Sequence, residues 1–197
     1  MKKVLIITYY WPPAGGPGVQ RWLKFVKYLP QHSIEPIVYC PENPSYPTED
    51  QTLSKDVSPK LTVLTRPIKE PLRFLKLFFK NKTNALSKGG IPPTKKQGFF
   101  EWFLLFIRGN FFVPDARIFW VKPSVEFLSN YIEQHQIDTI ITTGPPHSVH
   151  LIGMQLKAKH QLQWFADFRD PWTDISYHKN LNLTRSTQQK HLKLEKA

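Results

Sequence analysis

The chain has 197 residues, with 27 Lys and Arg against 15 Asp and Glu, for a formal net charge of +12. At roughly 150 residues per domain this length predicts one domain with room for an insertion, and it excludes a large two-domain enzyme. Aromatic residues at 14% argue against a disordered chain, and the one cysteine, Cys40, excludes both an intramolecular disulfide framework and a cysteine-rich zinc site.

The start, Met1-Lys2-Lys3 followed by an apolar run to Thr8, imitates the opening of a signal peptide. The run is too short, and Trp11-Pro12-Pro13 stands where a small-residue cleavage site belongs. Residues 3–8 (KVLIIT) instead predict a strand buried on both faces. The loop YYWPPAGGPG covers 9–18. Over 19–29, Trp22, Leu23, Phe25, Val26 and Leu29 recur at helical spacing, with Arg21, Lys24 and Lys27 facing outward and Pro30 as the stop. Residues 36–40 (PIVYC) and 61–65 (LTVLT) predict two further strands, separated by a Pro-rich, acidic loop over 41–60. The right-handed crossover rule places these strands parallel in one sheet.

The middle of the chain differs in composition. Ten Lys and Arg against two Glu lie between Arg66 and Arg108, a balance of +8. Leu72, Phe74, Leu75, Leu77, Phe78 and Phe79 interleave with Arg73, Lys76 and Lys80. Residues 80–98 read as a flexible loop, and Phe99 to Arg108 is aromatic-rich, with Trp102, Phe103 and Phe106. No window reaches the roughly 18–20 clean apolar residues of a spanning helix. The nearest, 99–113, is interrupted by Glu101, Arg108 and Asn110. A basic amphipathic helix beside an aromatic one fits the interface of an anionic membrane, where each basic residue contributes about 1 kcal/mol. The plainer alternative is that the apolar faces pack internally and the lysines are a solvated face. Nucleic-acid binding is disfavoured, because the apolar residues have helical spacing and form no stacking platform on strands.

Regular spacing then returns. A helix is predicted over 122–136, a strand over 139–143 (TIITT), a helix over 147–160, a strand over 163–167, and a polar, basic helix from Thr184 onward. The pattern as a whole is α/β: a doubly wound, mostly parallel Rossmann-like sheet with helices on both faces and a basic, aromatic helical insertion at about 66–113.

Three loops follow predicted strands, where an open parallel sheet places its ligands. The first contains Gly15, Gly16 and Gly18 and opens a helix, an arrangement suited to phosphate and equally to a tight helix-capping turn. It is an incomplete dinucleotide fingerprint, since Arg21 stands at the third glycine position, and it lacks the Gly-Lys-Ser/Thr of a Walker loop. An oxidoreductase using NAD is disfavoured by Arg21 and by Cys40 at the end of the second strand, with Glu42 two residues later. The second loop holds Gly144, Pro145, Pro146, His147, Ser148 and His150. Either His147 or Ser148 can cap the following helix, and a helix start biases His147 toward neutral imidazole. His150 reads as the blander of the two histidines. The third loop joins Asp167, Arg169 and Asp170, two carboxylates and a guanidinium that either orient a hydroxylated acceptor or tie the loop internally. The three strand ends converge on one crevice.

Taken together, KVLIITYYWPPAGGPGVQR, TTGPPHSVH and ADFRDPW with Thr173 resemble, in order and spacing, the N-terminal domain of a bacterial family-4 type glycosyltransferase of the GT-B architecture. The resemblance covers nearly the whole chain. It implies transfer of a sugar from a nucleotide-sugar donor, usually with retention, to a lipid-linked or polysaccharide acceptor. It implies that Gly15, Gly16 and Gly18, with Arg21, lie beside donor phosphates and acceptor. Gly144, Ser148, Asp167 and Arg169 then line the substrate side, and His147 and Asp170 take the catalytic roles. No metal and no separate cofactor are implied. The family's second domain, with its Glu-x7-Glu motif, has no counterpart in these residues. Glu126 and Glu133 are spaced differently and read as solvent-facing. The expectation is therefore an acceptor-side half, a fragment or truncated product that is inactive alone. It would be cytoplasmic and peripheral at the inner face of the plasma membrane through Arg73, Lys76, Lys80, Trp102, Phe103 and Phe106. The alternative is a standalone Rossmann-like module that binds an anionic lipid or a protein partner without catalysis.

Overall fold

The computed structural model of the chain describes residues 1–70, 99–175, 178 and 181–197. In chain order the elements are β1 (Lys2–Thr8), α1 (Pro17–Tyr28), β2 (Ile34–Pro41), β3 (Thr62–Arg66), α2 (Phe99–Phe111), α3 (Ile118–His135), β4 (Thr139–Gly144), α4 (Ser148–Lys159), β5 (Gln163–Phe168) and α5 (Arg185–Lys196). They fall into two compact units, Met1–Ile68 with Trp120–Arg169, and Lys69–Phe119 with Asp170–Ala197.

The first unit is a Rossmann-like α/β fold. Its five strands run in the order β3-β2-β1-β4-β5, and every neighbouring pair is parallel. The chain starts at the centre, moves outward through β2 and β3, then crosses back to β4 and β5. The order thus reverses between β1 and β4, and a crevice opens at such a reversal beyond the strands' carboxyl ends.

Side chains of each strand alternate between the two faces of the sheet. Val4 and Ile6 of β1 and Val38 and Cys40 of β2 pack with Trp22, Leu23 and Val26 of α1. Ile7 is in register with Tyr39 on one side and Thr142 on the other, so this row belongs to the opposite face. There Tyr39 stacks on Trp120 of α3 at 5.1 Å between ring centres, and its hydroxyl donates to Ser124 Oγ at 2.7 Å. Burial pushes the Tyr39 phenol well above its ordinary pKa, and burial likewise pushes the Cys40 thiol up to about 12.

The strands lie where the hydrophobic runs placed them, and the helix boundaries shift for local reasons. α1 starts at Pro17, whose missing N–H costs nothing at a first helical position, after Gly16 at φ 109°. A short 3₁₀ turn, Leu29–His32, follows it and contains Pro30. A second, Gln51–Asp56, interrupts the loop predicted over 41–60 and is capped by Asp50, which accepts from Thr52 N. α3 begins four residues before the predicted start at 122 and carries Pro123 within it. Trp120 and Val121 are buried there, which rewards the additional turn. Glu126 and Glu133 are exposed, as their spacing suggested.

The second unit contains α2 and α5. Asn110 of α2 clamps the segment before α5: its Nδ2 donates to Asn182 O at 3.1 Å, and its Oδ1 accepts from Thr184 N at 2.8 Å. Thr184 in turn caps α5 by accepting from Thr187 N. The buried Trp172 donates through Nε1 to His191 Nδ1 at 3.0 Å. Glu195 accepts from the backbone N–H groups of Trp172 and Thr173 and from the Thr173 hydroxyl. Leu104 and Leu105 of α2 are buried, while Trp102 and Phe103 are 41% and 45% exposed. Trp102 stacks on Phe106 at 5.5 Å. Arg73, Lys76, Lys80 and the loop expected over 80–98 lie outside the described residues. Among the described residues no helix is long and apolar enough to cross a membrane.

Candidate functional site

The site is built at the carboxyl ends of β1, β4 and β5. Thr143 and Asp167 are in register on adjacent strands, so their side chains leave the same face of the sheet. The Thr143 hydroxyl donates to Asp167 Oδ2 at 2.8 Å. On that face stands the first half of α1, from which Trp22 Nε1 donates to the same oxygen at 3.0 Å and Arg21 Nη2 forms a close ion pair with it. Burial alone would raise the Asp167 pKa. The hydrogen bonds from Arg21, Thr143 and Trp22, with the guanidinium's charge, outweigh burial and hold the carboxyl below the usual carboxylate range. Asp167 is therefore an anion that locks β5, β4 and α1 together.

Arg169 reaches the other way. Its Nε donates to Gly144 O at 3.0 Å and its Nη2 to Pro145 O at 2.7 Å. Its guanidinium then lies directly against Gly18, where a Cβ would overlap Nη1 and press on Cζ. Gly18 is thus required for close approach, not for backbone conformation, whereas Gly16 at φ 109° is required for conformation. The Arg169 guanidinium also faces the Tyr10 ring at 5.8 Å. Tyr10 belongs to an aromatic group with Tyr9 and Tyr46, with ring centres 4.8–5.9 Å apart. Gly15 uses its N–H on Thr48 O at 3.0 Å, so the glycine loop is laced to the loop after β2.

The glycine loop opens α1 with no acidic side chain in its first turn. A helix N-terminus and the Arg169 guanidinium therefore put two positive features at one place, a setting that favours an anion. His147 stands at the N-cap of α4, and its side chain makes no cap hydrogen bond. Ser148 begins the helix fully buried. Capping was the plain role available to His147 from sequence, and at the N-cap its side chain does not fill it. His147 is 3% exposed, with its ring 6.1 Å from that of Phe168.

His150, the blander histidine by sequence, is more engaged. It stacks on Phe168 at 4.1 Å, and its Nδ1 lies 2.9 Å from Thr142 Oγ1, which accepts from Trp164 Nε1. Which of Thr142 and His150 donates in this pair follows the imidazole tautomer, and the other ring nitrogen, Nε2, faces Gly144. A Cβ at Gly144 would lie 2.5 Å from that nitrogen.

The structure thus brings Gly18, Arg21, Gly144, Asp167 and Arg169 into one hydrogen-bonded and packed group, with Gly15 and Gly16 in the same loop. Asp170 falls in the second unit, where it is exposed. Sequence reasoning missed Tyr10, Trp22 and Thr143. The signal for Thr143 was its place as the last strand residue before the glycine turn, one step from the crevice. Among the described residues no group of three or more His, Cys, Asp or Glu is placed to hold a metal ion. The sequence matches no protein-family model and no curated protein.

Proposed function

We propose that this chain is the acceptor-side domain of a retaining glycosyltransferase that takes its sugar from a nucleotide-sugar donor. The acceptor is a lipid-linked or polysaccharide glycan at the cytoplasmic face of a membrane, and a second domain holds the nucleotide. The observation that carries this reading is the placement of the Arg169 guanidinium against Gly18 at the N-terminus of α1, at the point where strand order reverses. Sugar transfer leaves negative charge on the departing phosphate, and fixed donors aimed there stabilise it. Asp167, already neutralised by Arg21, serves as a brace that holds the loops, and the hydroxyl-rich acceptor meets Tyr10 and the Gly144 turn beside it. Within the first unit His147 is the residue proposed to act on the sugar, in keeping with the resemblance of TTGPPHSVH.

The test is a titration of the isotopically labelled chain with polyprenyl phosphate and oligosaccharide acceptors, read by amide shifts. The expected result is perturbation at Gly16, Gly18, Gly144 and Arg169. Acceptors that leave these four amides unmoved would refute the proposal.

A second reading, a binding module for an anionic lipid, is favoured by the exposed Trp102 and Phe103 on α2. It predicts vesicle binding with no saccharide response.

A further inference from the structure

We propose that a half-open cavity at the amino-terminal ends of β2 and β3 binds a small amphiphile with an aliphatic body and a single anionic head group. The cavity has a volume of about 390 Å³, within the range of small-molecule sites. It lies at the opposite end of the sheet from the crevice, about 20 Å away along the strands. It is a separate place, and it stands independently of the transferase reading.

Its apolar lining comes from Leu23 and Val26 of α1 and from Pro36, Val57 and Leu61, with Ser58 and Thr62 beside them. The segment before β3 packs Leu53, Val57 and Leu61 against the core cluster that holds Leu23 and Val26. The Lys24–Asp56 ion pair, 3.3 Å long, ties α1 to that segment at one side. Four charged side chains belong to the lining, Lys27, Glu35, Asp56 and Lys60, together with the Met1 residue that carries the amino terminus. Asp56 is engaged by Lys24, so two lysines remain against Glu35. Among the described residues neither Lys27 nor Lys60 has a carboxylate within ion-pair distance. Both are exposed, one on α1 and one just before β3, so they flank the opening from its two sides.

This combination selects a ligand class. A sugar or nucleotide needs several convergent polar donors, and apart from the charged groups the lining offers only the hydroxyls of Ser58 and Thr62. A neutral hydrocarbon leaves the lysines without a partner. A cation meets two like charges. A medium-chain carboxylate places its chain between Val26 and Leu61 and its head between Lys27 and Lys60.

Calorimetric titration of the purified chain with octanoate, decanoate and decanol tests this. Affinity is expected to rise about fourfold per methylene from octanoate to decanoate, the factor for burying a CH₂ group. The double variant Lys27→Glu with Lys60→Glu, both at exposed positions, is expected to weaken decanoate about tenfold or more and decanol less than about twofold. Val57→Trp fills the cavity and is expected to abolish binding of both, with circular dichroism checking the fold. Trp102→Glu, on the exposed aromatic face of α2, is expected to change neither. Absence of decanoate binding, equal binding by the charge-reversed variant, or loss through Trp102→Glu would each overturn the proposal.

Discussion

Arg21, on the first turns of α1, forms an ion pair with Asp167 at the end of β5, 146 residues further along the chain. The contact joins the beginning of the fold to its outermost strand. Thr143 and Trp22 complete the coordination of the same carboxylate, so one side chain holds three elements in place.

This arrangement sets an acid limit on stability. The folded-state pKa of Asp167 is depressed, so its contribution is complete above the unfolded-state value of about 4 and is lost as pH falls through the folded value. Arg21 is 42% exposed, which screens the pair. Asp167→Asn is expected to cost about 1 kcal/mol at neutral pH and to flatten the decline in stability below about pH 4. Denaturant unfolding at pH 7, 5, 4 and 3 checks this, and identical acid limbs in both proteins would contradict it.

Gly18→Ala puts a methyl group where the Arg169 guanidinium lies. The obstructing atoms are the far end of a flexible side chain, so the clash is relieved by moving Arg169, and stability is expected to fall by about 1–3 kcal/mol through the hydrogen bonds it gives up. The guanidinium must leave its place beside Gly144 and Pro145. Acceptor binding should fall to the level of Arg169→Ala, and the double variant should be no weaker than either single one. Additive losses would show that Gly18 and Arg169 act separately.

Gly153 lies on α4, where Ala would ordinarily improve helix stability by about 1 kcal/mol. Here a Cβ would meet Trp164 Nε1 at 2.5 Å and Thr142 Cγ2 at 2.6 Å. Neither neighbour yields cheaply, since Trp164 donates to Thr142 and Thr142 reaches His150. Gly153→Ala is therefore expected to destabilise the fold by about 1–3 kcal/mol, the usual cost of overpacking. A thermal midpoint at or above that of the parent would show that α4 is free to move outward.

The exposed ring pair on α2 gives a membrane prediction. Binding to vesicles containing anionic lipid is expected to fall on Trp102→Glu and Phe103→Glu and to weaken with salt. Sedimentation with anionic and neutral vesicles at two ionic strengths checks it. Equal binding to neutral vesicles at high salt would remove the electrostatic part.

Most of the fold was legible in the sequence because its inner strands β1, β2 and β4 are buried on both faces, while the edge strands β3 and β5 stay partly exposed. Runs such as KVLIIT have little choice of environment, and the glycines and prolines between them mark where the chain must turn. The crevice was legible to the same degree, since an all-parallel sheet sends its strand ends to one side. The pairings within it were not. Nothing in the local pattern ties Asp167 to Trp22 or Tyr39 to Ser124, because partners so far apart along the chain are selected by sheet order and helix rotation together. His150 looked bland for the same reason: its value comes from Thr142 and Phe168, one on the strand before it and one at the end of the strand after it. The start of α3 lies four residues earlier than predicted because Trp120 and Val121 are buried by the additional turn.

The lacing of the glycine loop extends further than the crevice. Gly15 N–H donates to Thr48 O, and Asp50 N–H to Pro13 O. Asp50 then caps the 3₁₀ turn whose last residue, Asp56, is held by Lys24 and borders the cavity at the far end of the sheet. Residues 48–57 therefore touch both ends of the domain without passing through its core. The main chain that fixes the glycine loop is thus the same short stretch that borders the cavity at the other end of the sheet.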